Sequence, residues 1–163
     1  MNRSLKKRAT RAAAIAACAG VTVLAACQTQ SGGWTWPWNA STAQAAEAPQ
    51  RLSLTGANEV PPVTTSATGS GTITIGSDHS VRGSVTVTGM TPTAAHIHTG
   101  APGANGPVII PLTKSGDTTF NVPTDAKLTD AQWADFQSGR LYVNVHSAAH
   151  PNGEIRAQLK AGS

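Results

Sequence analysis

The chain has 163 residues, with 12 Lys and Arg against 8 Asp and Glu and a sequence pI near 9.5. Five of those cations, Arg3, Lys6, Lys7, Arg8 and Arg11, lie in the first 11 residues, so the remainder carries 7 cations against 8 acids. Its basic residues are scattered and no aromatic-basic stripe interleaves them, so no nucleic-acid partner is expected.

Residues 1–26 read as an export signal. A basic head precedes the small, apolar run from Ala12 to Ala26, which is too short to cross a bilayer comfortably. The run ends Leu24-Ala25-Ala26-Cys27, which resembles a bacterial lipobox. That resemblance implies a lipidated Cys27 as mature N-terminus, a membrane-lipid partner, and a domain held on the cell surface or the periplasmic side. An ordinary secretory signal with a chance cysteine is the alternative. Residues 27–49 read as a flexible tether of Gly, Ser, Ala, Gln and Pro. Trp34, Trp36 and Trp38 interrupt it. Their alternation suits contact with lipid headgroups, packing back on the domain, or a merely sticky linker.

Residues 50–160 form one domain-sized segment. Both cysteines, Cys18 and Cys27, precede it, so no internal disulfide can form. Apolar residues alternate with polar ones at Leu52 and Leu54, at Ile73 and Ile75, and from Val81 to Val87. Period two with β-branched residues predicts strands. Further strands are predicted at Ala94–His98, Val108–Leu112, Thr118–Val122, Leu141–His146 and Glu154–Leu159. A helix is predicted over DAQWADFQSG, with Thr129 as its cap and Gly139 past its end. Trp133 and Phe136, three apart, share its buried face and close one end of the core. Eight short strands and one helix predict an all-β, Greek-key antiparallel β-sandwich.

Three histidines carry the chemical signal. His96 and His98 are two apart in TAAHIHTG, and His146 ends LYVNVH. Alternate residues of a strand share a face, so an inward Ile97 sends both neighbouring imidazoles outward. Inward Leu141, Val143 and Val145 send Tyr142, Asn144 and His146 outward likewise. If the two strands are neighbours, three imidazoles meet on one polar surface. Such a set suits copper, with zinc as the alternative. Imidazoles that only fix loops by bonding to backbone carbonyls are the structural alternative. His150 and His79 are expected to face solvent from loops.

At this point the chain resembles a known family. LTGANEVPPVTTSATGSGTITI, AHIHTGAPGANGPVIIPL and GRLYVNVHSAAHPNGEIRAQL look like the CHRD (chordin-type) domain. The resemblance implies an immunoglobulin-like or related Greek-key sandwich, an exported bacterial member, and no catalytic activity. A non-enzymatic adhesion or protein-interaction module with an envelope protein partner is one function it supports. HIHTG followed by a strand ending in histidine is also similar to the copper half of Cu,Zn superoxide dismutase. Carried over, the copper ligands are His96, His98 and His146. The bridging and zinc-site histidines have no counterpart, because no histidine lies between His98 and His146. A single-ion site is therefore expected before a dismutase-like enzyme.

Glu59, Glu154 and Arg156 are candidates for supporting those ligands. A carboxylate can orient an imidazole through its second nitrogen. Ion pairs from Glu59 or Glu154 to Arg156 or Arg140 are the simpler expectation. The run 100–107 is expected to be a flexible, exposed loop, free to make protein contacts. The lipobox reading predicts that Cys27→Ser releases the protein from membranes. An unmodified Cys27 by intact mass after bacterial expression would remove the anchor.

Overall fold

The computed structural model describes residues 48–161. The signal segment, Cys27, and Trp34, Trp36 and Trp38 lie outside the described residues.

The alternating segments become nine strands. They are β1 (Gln50–Thr55), β2 (Thr68–Ile75), β3 (Val81–Thr88), β4 (Pro92–Thr99), β5 (Val108–Pro111), β6 (Thr113–Lys114), β7 (Thr119–Asn121), β8 (Leu141–Ser147) and β9 (Ile155–Leu159). One helix, α1 (Asp130–Gln137), joins β7 to β8. The strands form a single sheet in the order β5-β4-β8-β9-β1-β2-β3-β7-β6, antiparallel at every pairing.

The two ends of that order meet. Only Leu112 separates β5 from β6, and its N–H donates to Ala95 O of β4 at 2.9 Å. One stretch of chain thus pairs with β4 at its start and with β7 at its end. The fold is all-β with one short helix and a near-closed antiparallel barrel, consistent with the predicted Greek-key class. Where the alternation suggests two packed sheets, the structure has one rolled sheet, its halves in register at Thr55 and Arg156 alone. Alternation reports one buried face per strand, and either arrangement buries it.

The inward faces make the apolar core. Leu54, Ile73, Val85, Ile97, Val143, Val145, Ile155 and Leu159 are all 0% exposed. Gly83 lets β2 and β3 cross closely: its φ is +138°, and any Cβ there would strike the Thr72 carbonyl.

The helix forms as its sequence predicts. The Thr129 side chain accepts from Gln132 N, and the Gln132 side chain accepts from Thr129 N, a reciprocal capping box. Phe136 is fully buried and Trp133 packs at the core's edge. His79, expected in solvent, is instead half-buried and stacked on Trp133 with ring centroids 4.8 Å apart. Phe136→Ala is expected to cost about 3–5 kcal/mol of stability, from lost burial plus a cavity. Thr129→Ala should cost about 1 kcal/mol, the worth of an N-cap. Urea unfolding of both variants checks this; equal losses would mean that α1 does not close the core.

Candidate metal centre

Strand pairing places the three imidazoles. β4 lies beside β8, with His96 opposite Asn144, His98 opposite Tyr142 and Ala94 opposite His146. Ile97, Val143 and Val145 are fully buried in the barrel, so the histidines project from its other face. β9 extends that face, with Arg156 opposite Asn144 and Gln158 opposite Tyr142.

One ligand nitrogen from each of His96, His98 and His146 lies within 4.8 Å of the others. His98 Nδ1 is 3.0 Å from Gly106 O, and His146 Nδ1 is 3.0 Å from Pro151 O. A carbonyl only accepts, so both Nδ1 atoms carry hydrogen and both Nε2 atoms carry a lone pair. His98 Nε2 is buried and has no hydrogen-bond partner among the described residues. His146 Nε2 stands 3.0 Å from His96 Nδ1. Without an ion, His96 Nδ1–H donates across that gap. Two nitrogens each about 2.0–2.1 Å from one ion also stand roughly 3 Å apart, so the same spacing suits shared ligation. Carbonyls that fix the far nitrogen of each ring are the support that ligand histidines commonly have.

The sequence suggests an open polar surface, but this face is largely covered: His98 and His146 are buried and His96 is half-buried. Every residue of β8 is buried, on both faces. Arg156 is 2% exposed, with its guanidinium carbon 3.4 Å from the Tyr142 ring centroid. Its Nη1 donates to Asn105 Oδ1 at 3.2 Å and its Nη2 to Ala104 O at 2.9 Å. Asn105 Nδ2 donates to Val60 O at 2.7 Å, and Gly106 N donates to the Tyr142 hydroxyl at 3.1 Å. The loop expected to be flexible and exposed is exposed over residues 102–105 and at Pro107, but these hydrogen bonds pin it to the face beneath. It presents Gly106 O to His98.

The expected carboxylate roles are corrected. Among the described residues neither Glu59 nor Glu154 bonds to an imidazole or forms an ion pair with an arginine. Glu154 Oε1 accepts from Thr65 Oγ1 at 2.7 Å, and Arg140 Nε is 3.5 Å from Asp135 Oδ1. Glu59, 5% exposed, accepts a long 3.4 Å bond from Asn144 Nδ2 on Oε2; its Oε1 and Asn144 Oδ1 have no partner among the described residues. Loop carbonyls reach the ring nitrogens first, since they follow directly after the histidine-bearing strands. Arg156 does not touch the histidines; it acts on His98 through the loop. His150 stays outside the cluster, its backbone N–H donating at 3.2 Å to the Oγ of Ser147, the last residue of β8.

Burial holds all three imidazoles below the ordinary histidine value. The neighbouring His146 and His98 add to this at His96, while the carbonyl bonds of His98 and His146 oppose it. The unfolded chain takes up protons at about pH 6.5 that the folded one refuses. Their contribution to stability is thus complete above that pH and lost as pH falls through it. Glu59 has the opposite sign: burial, against the pull of Arg156, raises it from 4.5 to about 7, so the fold loses stability as pH rises from 4.5 to about 7, where the unfolded chain is ionised and the folded one is not. Glu59→Gln is expected to stabilise the protein at about pH 8, with a gain that shrinks as the pH drops below about 7. Denaturant unfolding across that range checks it; a pH-independent gain would mean that Glu59 does not titrate there.

The family model for the CHRD domain matches residues 51–159. No curated protein and no solved structure matches the chain. The matched span contains nearly all of the barrel, the three histidines, and the loops that orient them. The chain belongs to the CHRD domain family.

Proposed function

We propose that the protein binds a single copper ion through His96 Nδ1, His98 Nε2 and His146 Nε2, with zinc as the alternative ion. The buried, unpartnered Nε2 of His98 carries the reading. A buried acceptor with no donor costs free energy unless something occupies it, and a metal ion does. Neutral imidazoles suit copper best, since it heads the divalent affinity order for nitrogen ligands. Bound copper would supply one-electron redox chemistry. The protein's own part is to keep three lone pairs converged, neutral and partly shielded from water. Lipidation at Cys27 would hold this domain outside the cytoplasmic membrane, where cytosolic chelators do not compete.

Dismutase-like catalysis has less support. Arg156, the arginine on the same face as the histidines, is 2% exposed and bonded to loop oxygens, so it is not free to guide an anionic substrate to an ion. The second reading, a contact module for an envelope protein, rests on the exposed rim of the loop 100–107 beside Val108, a large apolar residue 47% exposed.

Titration with Cu(I), Cu(II) and Zn(II) separates these readings. One equivalent is expected to bind, and His96→Ala, His98→Ala and His146→Ala should each abolish stoichiometric binding. Affinity should weaken as pH falls through about 6.5, where protons compete for the lone pairs. No binding of any of the three ions at equimolar protein would end the metal reading. A partner recovered equally by the triple-alanine variant would favour the contact module.

A further inference from the structure

Away from the histidines, three cations converge on one cleft. It has a volume of about 450 Å³ and lies along β1 and β9, strands in register only at Thr55 and Arg156. The buried Leu52 and Ala157 line it, as do Pro102 and Gly103 of the loop. Arg51, Arg156 and Lys160 line it, and no acidic residue does. This charge is local: residues 48–161 hold 7 Lys and Arg against 7 Asp and Glu.

Among the described residues no carboxylate lies within ion-pair distance of the three cations, and the buried Glu59 acts on Arg156 only from further off. The two ion pairs among the described residues are His79 with Asp130 and Arg140 with Asp135. Arg156 donates only to neutral carbonyl and amide oxygens, which solvate its charge without cancelling it. A buried guanidinium that no carboxylate touches is unusual, because desolvation is offset mainly by direct pairing. A concave wall of one sign also focuses its field on whatever enters. Two polar groups stand beside the cations. Ser53 exposes its hydroxyl from β1, and Asn58 uses Nδ2 on Arg156 O at 3.1 Å, which leaves its Oδ1 free to accept.

We propose that this cleft binds a small hydroxylated oxyanion, an acidic sugar or a sugar phosphate. Arg51 and Lys160, both exposed, clasp its charged group. Arg156 supplies a fixed positive charge from below. Ser53 and Asn58 meet the ligand's hydroxyl groups. The volume lies within the range of small-molecule sites.

The test is a titration of the isotopically labelled protein, followed by amide NMR, with four probes: glucuronate, glucose 6-phosphate, glucose and inorganic phosphate. Saturable shifts at Ser53, Asn58 and Gly103 are expected with one or both of the sugar acids, and none with glucose. Inorganic phosphate should bind more weakly than the better sugar acid. Arg51→Gln and Lys160→Gln should each weaken that binding about tenfold, in keeping with the loss of one charge-assisted contact. Both changes are on exposed side chains, and unchanged shifts across β4 and β8 would confirm an intact fold. The proposal is overturned by no saturable shift with either sugar acid, by glucose binding as well as they do, or by binding indifferent to both substitutions. Inorganic phosphate binding as tightly as the better sugar acid would also overturn it, since the cleft would then be a plain anion patch.

Discussion

Arg156 is the largest fully buried side chain in the described residues, and the polar half of the structure is arranged around it. Its planar guanidinium lies on one side of the Tyr142 ring, towards β9. His98 stacks with the same ring from the β4 side, at a centroid distance of 4.8 Å and an angle of 12°. The donors of Arg156 reach into the loop 100–107 and hold it down, and that loop supplies the carbonyl that fixes the tautomer of His98. One residue on β9 thus sets an imidazole on β4 that it never touches. Lysine could not replace it, because a point charge on a flexible stem neither stacks flat nor forks across separate acceptors.

This arrangement gives the barrel two unlike layers. Inside, aliphatic side chains with Phe120 and Phe136 form a core that excludes water. Outside β4, β8 and β9, a polar layer of His, Tyr, Asn, Arg and Gln lies beneath loops that satisfy most of its donors. Such a layer is only as stable as its hydrogen bonding is complete. The unpartnered atoms are therefore informative: His98 Nε2 at the histidine cluster, and Glu59 Oε1 with Asn144 Oδ1 a short way along the face. The first two are consistent with sites where the protein keeps capacity in reserve, one for an ion and one for a proton.

Much of this was legible in the sequence. Alternation located all the principal strands and the inward set Ile97, Val143 and Val145. The Thr129 cap and the Trp133–Phe136 spacing gave the helix. The HIH pair and His146 were marked because period two fixes which way each side chain points. What alternation cannot encode is which strand lies beside which, and the meeting of β4 with β8 is a long-range event. Nor can it show the roof. Gly106 and Pro151 support the imidazoles through backbone carbonyls, which every residue possesses, so no side-chain pattern announces them. The expected ion pairs of Glu59 and Glu154 failed for a related reason: opposite charges in a sequence pair only if the fold brings them together, and here neutral amides and hydroxyls arrived first.

His96 and His146 are 50 residues apart in the chain, and they meet only through the β4–β8 ladder. A contact of that span forms late, because the entropy of closing so long a loop must be overcome before the ladder rewards it. During synthesis, β4 would emerge with two imidazoles on one edge and no third. A nascent chain therefore offers passing ions only a bidentate, solvent-washed pair. The full triad comes into being with the last third of the domain, so capture of an ion would coincide with maturation and would mark finished molecules apart from unfinished ones.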